Sequence, residues 1–397
     1  MKLDRQHFRT AVYQTPFHPR TAPLNVLNLW HRWRDYTTAD GYFDVGMEYN
    51  ALRNACAVFD LSPMTKHLIT GADALAFMNR LVTRDVAKIK PGRVGYAVWC
   101  NDAGQVIDDG TIFHLRDNVF RLCSQERQLD WLHASALGLD VAIAEESDDV
   151  AALAFQGPTS CAVLKKLGLA GIEMLKPFGL RVFTFAGTEL LVSRTGFTGD
   201  LGYELWIAPG HALELWDRLF EAGRNYGIRP MGTLALEMSR IEAGFIAALV
   251  DFLPADRAVR TDRTRSPFEL DLARMVDLDK PNFTGRRALL EEQRRGSRYR
   301  LVRLDIEGNK VAKDAFIYDA RRNVVGTVTS AMWSPAAKAS IALASLEMPW
   351  GRPGDELFAE IYYQKELKWS RITERCRVVE GAFYDPPRRR QTPAPDL

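Results

Sequence analysis

The stretch LAFQGPTSCAVLKKL, Leu153 to Leu167, decides how the chain is divided. It reads as a strand end, a glycine turn at Gly157, and a helix with apolar residues at helical spacing. HLITGADALAFMNRL, His67 to Leu81, reads the same way, with Gly71 at the turn. Gly71 matches Gly157 and Leu81 matches Leu167 at one common spacing. A pattern that recurs at a fixed spacing points to a repeated structural unit, here of mixed α and β elements.

Working outward, YAVWCNDAGQVIDDGTIFHL (96–115) predicts two strands joined by a turn at Asn101–Gly104. VFRLCSQERQLDWLHASAL (119–137) predicts a strand and then a helix, with Ser124 as N-cap and Glu126 in the first turn. RVFTFAGTELLVSR (181–194) predicts a hairpin turning at Ala186-Gly187. Beyond it, Ala212, Leu215, Trp216, Leu219 and Phe220 fall on one helical face, and TLALEMSRIEAG (233–244) forms a further helix. The aromatic-rich opening, YQTPFHPRTAPLNVLNLWHRWRDY (13–36), is broken by Pro16, Pro19 and Pro23, and is expected to be loops and short helices. From Arg298 the texture changes to short alternating strands, the pattern of a small β-barrel or sandwich. The tail PPRRRQTPAPDL (386–397) is expected to be disordered. The expected domains are therefore a core over 1–297, a barrel over 298–385 and a tail over 386–397.

The composition narrows the function. With 397 residues, 47% hydrophobic and 26% charged, the chain matches an ordinary globular protein. A net charge of +2 gives no reason to expect nucleic acid or a membrane surface as partner. The charged start, MKLDRQHFRT, lacks the apolar core of a secretory signal, and no apolar run is long enough to span a bilayer. The five cysteines, Cys56, Cys100, Cys123, Cys161 and Cys376, show no CxxC spacing; free thiols in the cytoplasm are expected. None of the seven histidines falls in a metal-ligating spacing, so no metal site is expected. There is no dinucleotide fingerprint. No sustained heptad indicates an oligomeric state.

SRTGFTGDLGYELW (193–206) places Gly196, Gly199 and Gly202 around Phe197, with Glu204 at the start of an apolar run. A tight hairpin is one reading. The other is a loop that lets backbone approach a flat ligand, with an acid to read its edge. In VIDD, Asp108 and Asp109 are neighbours on a predicted strand. Their side chains then point to opposite faces, and only one can face a given cavity.

Seven pieces, in order, carry a resemblance: FDLSPM (59–64), NDAGQVIDD (101–109), FQGPTS (155–160), TGFTGDLGYEL (195–205), RIEAG (240–244), FTGRRAL (283–289) and GTVTSAMWSP (326–335). Through them nearly the whole chain resembles the folate-dependent T-protein family, the glycine-cleavage aminomethyltransferase and its demethylase relatives. The resemblance implies an α+β fold of two interleaved, ferredoxin-like folate-binding units closed by a C-terminal β-barrel. It implies tetrahydrofolate as cofactor. Asp109 matches the acid near the folate N5 atom, and Glu204 the acid that holds the pterin's amino-pyrimidine edge. Phe197 matches a tyrosine of the pterin wall and Met64 a methionine against the ring. Tyr96 and Cys123 match lesser wall positions.

Three departures bear on the substrate. Pro63 replaces the family's histidine, Phe197 lacks a hydroxyl, and Leu236 stands where the T-proteins carry an arginine. They favour demethylation of a small O-, N- or S-methylated compound, giving 5-methyltetrahydrofolate. Aminomethyl transfer giving 5,10-methylenetetrahydrofolate is the alternative, and a non-catalytic folate-binding protein is a third reading. Trp30, Trp33 and Tyr36 are candidates for the methyl-donor pocket, against a plain core role. Arg240 is a candidate substrate ligand, against a structural ion pair.

Overall fold

The computed structural model describes residues 13–393. The charged N-terminal stretch and the last four residues of the tail lie outside them. Two sheets form the core. A five-stranded sheet runs in the order Arg93–Cys100, Val106–Arg116, Val119–Ser124, Thr65–Thr70 and Ala142–Glu145. A six-stranded sheet runs in the order Leu180–Phe185, Thr188–Ser193, Gly202–Ile207, Ala151–Gln156, Ala57–Asp60 and Arg229–Pro230. The Ala57–Asp60 strand precedes every strand of the five-stranded sheet in sequence, yet pairs with Ala151–Gln156. The two units are therefore interleaved.

The repeat read from sequence is real. In each copy a strand ends at a glycine, and a helix follows: Ala74–Leu81 in the first copy, Ser160–Lys166 in the second. Gly71 and Gly157 share φ values of 126° and 122°. An added Cβ would meet the Asp140 carbonyl at 2.4 Å in one copy and the Ala55 carbonyl at 2.6 Å in the other. Positive φ and closely packed neighbouring backbone both require glycine there.

Each sheet covers its outer face with helices. Leu153, Phe155, Tyr203 and Leu205 of the six-stranded sheet pack with Leu215, Trp216 and Leu219 of the Ala212–Gly223 helix. Trp99, Ile112, Phe120 and Leu122 of the five-stranded sheet pack with Phe77, Met78 and Leu81. The inner faces meet each other through Phe59, Phe113, Cys123, Ala152, Ala154 and Trp206. Phe113 and Trp206 touch edge-on across that layer, with centroids 5.1 Å apart. Alternation along each strand thus gives every inner position a helix-covered neighbour.

From Tyr299 a closed six-stranded barrel follows, sealed by pairing of Tyr299–Ile306 with Lys368–Val379. Three local expectations are corrected. The opening segment has short helices at His18–Thr21 and Ala22–Leu24, as expected, but it also forms a three-stranded sheet, because Leu29–Trp33 and Tyr36–Gly41 pair as a hairpin. Ser124 ends a strand; the following helix starts at Leu129 with Gln128 at its N-cap. The described part of the tail is bound to the core, with a 3-10 turn at Pro387–Arg389 and an Arg388–Asp200 ion pair at 2.7 Å. Arg388 finds a buried partner, which composition alone does not reveal.

Candidate functional site

Asp109 lies opposite Val98, on the inner face. Asp108 lies opposite Trp99, whose side chain belongs to the outer-face core. The two neighbours do point apart. Asp109 is half-buried and accepts a hydrogen bond from the Tyr96 hydroxyl at 2.8 Å. Burial pushes its carboxyl up to about 6, against the Tyr96 hydrogen bond, which favours the ionised form. Burial and then the nearby Asp109 raise the Tyr96 phenol well above its usual range, so it stays a donor. Asp108 is fully buried; its Oδ1 accepts the Asp109 backbone N–H at 2.9 Å, and its Oδ2 has no hydrogen-bond partner. Burial, with the Asp109 charge behind it, pushes the Asp108 carboxyl well above the usual carboxylate range.

Glu204 lies on the inner face of the six-stranded sheet, between Ala154 and Ser193. Its Oε2 accepts from Thr195 Oγ1 at 2.6 Å and from Ser193 Oγ at 3.3 Å. Among the described residues no group donates to Oε1. Burial raises its carboxyl, and the Thr195 and Ser193 hydroxyls pull it back. The result is a buried acid with one oxygen held and one left as an acceptor.

The loop before Glu204 owes its shape to Gln156, which the sequence reading missed. Gln156 Nε2 donates to the carbonyls of Thr195 and Tyr203, each at 3.1 Å, and Oε1 accepts from Thr198 Oγ1 at 2.9 Å. A Cβ on Gly196 or Gly202 would come within 2.0 or 2.1 Å of Gln156 Oε1. Those two glycines therefore make room for an internal amide splint. This amends the reading of them as places where backbone approaches a ligand.

Met64 is half-buried against the inter-sheet cluster, and Cys123 is buried within it. Burial pushes the Cys123 thiol up to about 12, so it is an inert wall. Phe197 is exposed on one side and stacks on Phe245 on the other, at 5.6 Å between centroids. Phe245 was not foreseen; no periodicity marks it, and Gly244, at φ 70°, sets its direction just past a helix. Of the three aromatics expected at the donor pocket, Trp33 packs against the inter-sheet cluster. Trp30 instead packs against the His18 ring at a tilt and donates to Asn28, and the Tyr36 hydroxyl is tied to Asp148. Arg240 is fully buried and donates to Asp251 at 2.6 Å, Glu237 at 2.7 Å, Ser330 at 2.9 Å and the Phe245 carbonyl at 3.1 Å. It is a strut between core and barrel, in line with the structural ion pair that stood against the substrate-ligand reading. Two surface depressions, of about 690 and 280 Å³, are lined by other residues, among them Trp216 and Phe220 in the first and Arg93 and Arg181 in the second.

Two paired sheets carry an acid on each inner face, and a closed barrel follows them. Residues 19–280 match the family model described as GCVT N-terminal domain, and residues 300–385 match the glycine cleavage T-protein C-terminal barrel domain. The chain belongs to the glycine cleavage T-protein family. It is 34% identical over 343 residues to an aminomethyltransferase of Caldanaerobacter subterraneus subsp. tengcongensis, covering 85% of this chain and 87% of that one. It is 37% identical over 358 residues to a trimethylamine-oxide aldolase of Ruegeria pomeroyi, covering 86% of this chain but only 43% of that longer protein. The glycine cleavage system aminomethyltransferase T of Bartonella henselae shares the fold, with a TM-score of 0.82 at 23% identity over 94% of this chain and 99% of that one. Among the described residues no helix is long and apolar enough to cross a membrane.

Proposed function

We propose that the chain is a tetrahydrofolate-dependent one-carbon transferase that demethylates a small O-, N- or S-methylated compound, giving 5-methyltetrahydrofolate. The observation that carries this reading is the open Oε1 of Glu204 on one inner face, with Asp109 tuned to about 6 on the other. Tetrahydrofolate supplies a neutral, nucleophilic nitrogen that accepts the carbon. The residues present fit it. Glu204 offers an acceptor to the paired N–H donors of an amino-pyrimidine edge. Phe197, backed by Phe245, and Met64 offer flat and pliable walls for a fused ring. Asp109, ionised above about 6, would stabilise the positive charge that builds at the acceptor nitrogen as the donor's methyl–heteroatom bond breaks and the demethylated compound leaves with that bond's electron pair. It would then take the proton that nitrogen sheds. Tyr96 fixes its orientation.

Leu236, half-buried against the inter-sheet cluster, gives the donor side an apolar surface. That suits a small methylated compound. The trimethylamine-oxide aldolase relative adds weight to an N-methyl donor. A second reading, aminomethyl transfer giving 5,10-methylenetetrahydrofolate, is favoured by relatives of 30–34% identity named aminomethyltransferase. One reaction series decides between them. The chain is incubated with tetrahydrofolate and O-, N- and S-methyl compounds, alongside an aminomethyl donor, and the folate product is weighed by mass spectrometry. A methyl product supports the first reading and a methylene product the second. A folate that binds but never changes mass across the panel defeats both.

A further inference from the structure

Past the barrel, residues 383–391 return across the core and grip both flanks of the Phe197 loop. On one flank Arg388 forks onto Asp200, with Nε to Oδ1 at 2.7 Å and Nη2 to Oδ2 at 2.9 Å. The Tyr384 hydroxyl adds a hydrogen bond to Asp200 Oδ2 at 3.1 Å. On the other flank Arg194 Nη2 donates to the carbonyls of Arg388 at 3.4 Å, Arg389 at 3.5 Å, and Gln391. Between them the Arg389 guanidinium lies 5.1 Å over the ring of Phe245, the residue on which Phe197 stacks. The segment is itself anchored, through Tyr384 N–H to the Glu242 carbonyl at 3.0 Å and the Tyr384 ring under Arg53 at 4.1 Å.

The Asp200 side chain has no exposed surface. Buried carboxylates need a paired cation with good geometry. Arg53 lies 3.6 Å away, but its donors serve Glu242 and the Thr198 carbonyl. Arg388 therefore supplies the two-pronged contact. We propose that residues 383–391 act as a strap that fixes the Phe197 loop for the coenzyme, with Arg388 as its positioning residue. The coenzyme half of this inference rests on the folate reading above. Holding the loop in its binding geometry removes an ordering cost that the ligand otherwise bears.

Two readouts test it, one of them without ligand. Hydrogen exchange of the loop amides at 195–201 is compared between wild type, R388A, R388K and R389Q, each as the full chain. Tetrahydrofolate uptake is then titrated, and turnover is measured at saturation. In R388A the loop amides exchange faster, while those of the two sheets do not. Affinity falls by about tenfold, less than the roughly hundredfold that a 1 Å misplacement costs at a reacting centre. Saturated turnover stays within about twofold, because the reacting groups are untouched. R388K, which keeps the charge but not the fork, lies between, and R389Q shows the smallest change. Should R388A lose cooperative unfolding, R388K carries the comparison. Wild-type exchange in the loop overturns the strap. A looser loop with unchanged affinity overturns its role at the site. A wild-type chain with no saturable uptake overturns the folate reading and the coenzyme half, while the exchange data still decide the strap.

Discussion

Asp109 on the five-stranded sheet and Glu204 on the six-stranded sheet both occupy inner faces, and burial raises both. They differ in how the rest of each carboxylate is satisfied. Asp109 has one phenol donor and, as its chain neighbour, a buried acid whose carboxyl is raised. Glu204 has two hydroxyls converging on one oxygen and, among the described residues, nothing on the other. An acid held loosely near neutrality suits a change of charge during a reaction. An acid with one oxygen pinned suits recognition, because its free oxygen points in a fixed direction. Two units with matching strand–glycine–helix cores thus carry acids in different settings.

If that division is right, the largest effect comes from Asp109→Asn, which keeps shape and removes charge. Turnover falls by about 10²- to 10⁴-fold, the range for loss of a positioned acid–base group, with little change in folate affinity. Equal losses in affinity and turnover in steady-state kinetics break the comparison from this side. Glu204→Gln comes next. Charge-assisted hydrogen bonds are worth about 1.5–3 kcal/mol, so affinity drops by roughly ten- to a hundredfold while turnover at saturation persists. Calorimetric titration measures it; a pure turnover defect assigns the wrong role to this acid.

Smaller changes sharpen the contrast. Thr195→Val removes one neutral hydroxyl from Glu204, worth about 1 kcal/mol, and weakens folate binding by about fivefold. The pH profile provides the fourth check. Asp109 is protonated below about 6, so kcat/KM rises with pH through that value and levels above it. Tyr96→Phe deletes the bond that favours the ionised form, so the limb moves to higher pH. A limb that stays put in Tyr96→Phe belongs to another group.

Much of this was legible in the sequence because periodicity survives any tertiary arrangement. The hairpin at Ala186-Gly187 and the apolar face of the Ala212–Gly223 helix both appear where spacing predicts them. Turn chemistry likewise marked Asn101–Gly104 between two strands. Arg240 and the tail arginines were harder. Arg240 reads equally as ligand or strut until Asp251 and Ser330 arrive from elsewhere in the chain. The Pro- and Arg-rich tail reads as solvated until Asp200 is found beneath it.

By itself, then, the sequence determined the duplicated α+β core, a small barrel or sandwich of strands after residue 298, and the opposed directions of Asp108 and Asp109. Each follows from local period, and local period is written in consecutive residues. Tertiary structure alone decided that Gln156 splints the Glu204 loop, that Phe245 backs Phe197, and that Arg388 closes over Asp200. Those are pairings between distant residues, and a buried polar group takes its meaning from whichever partner the fold delivers to it.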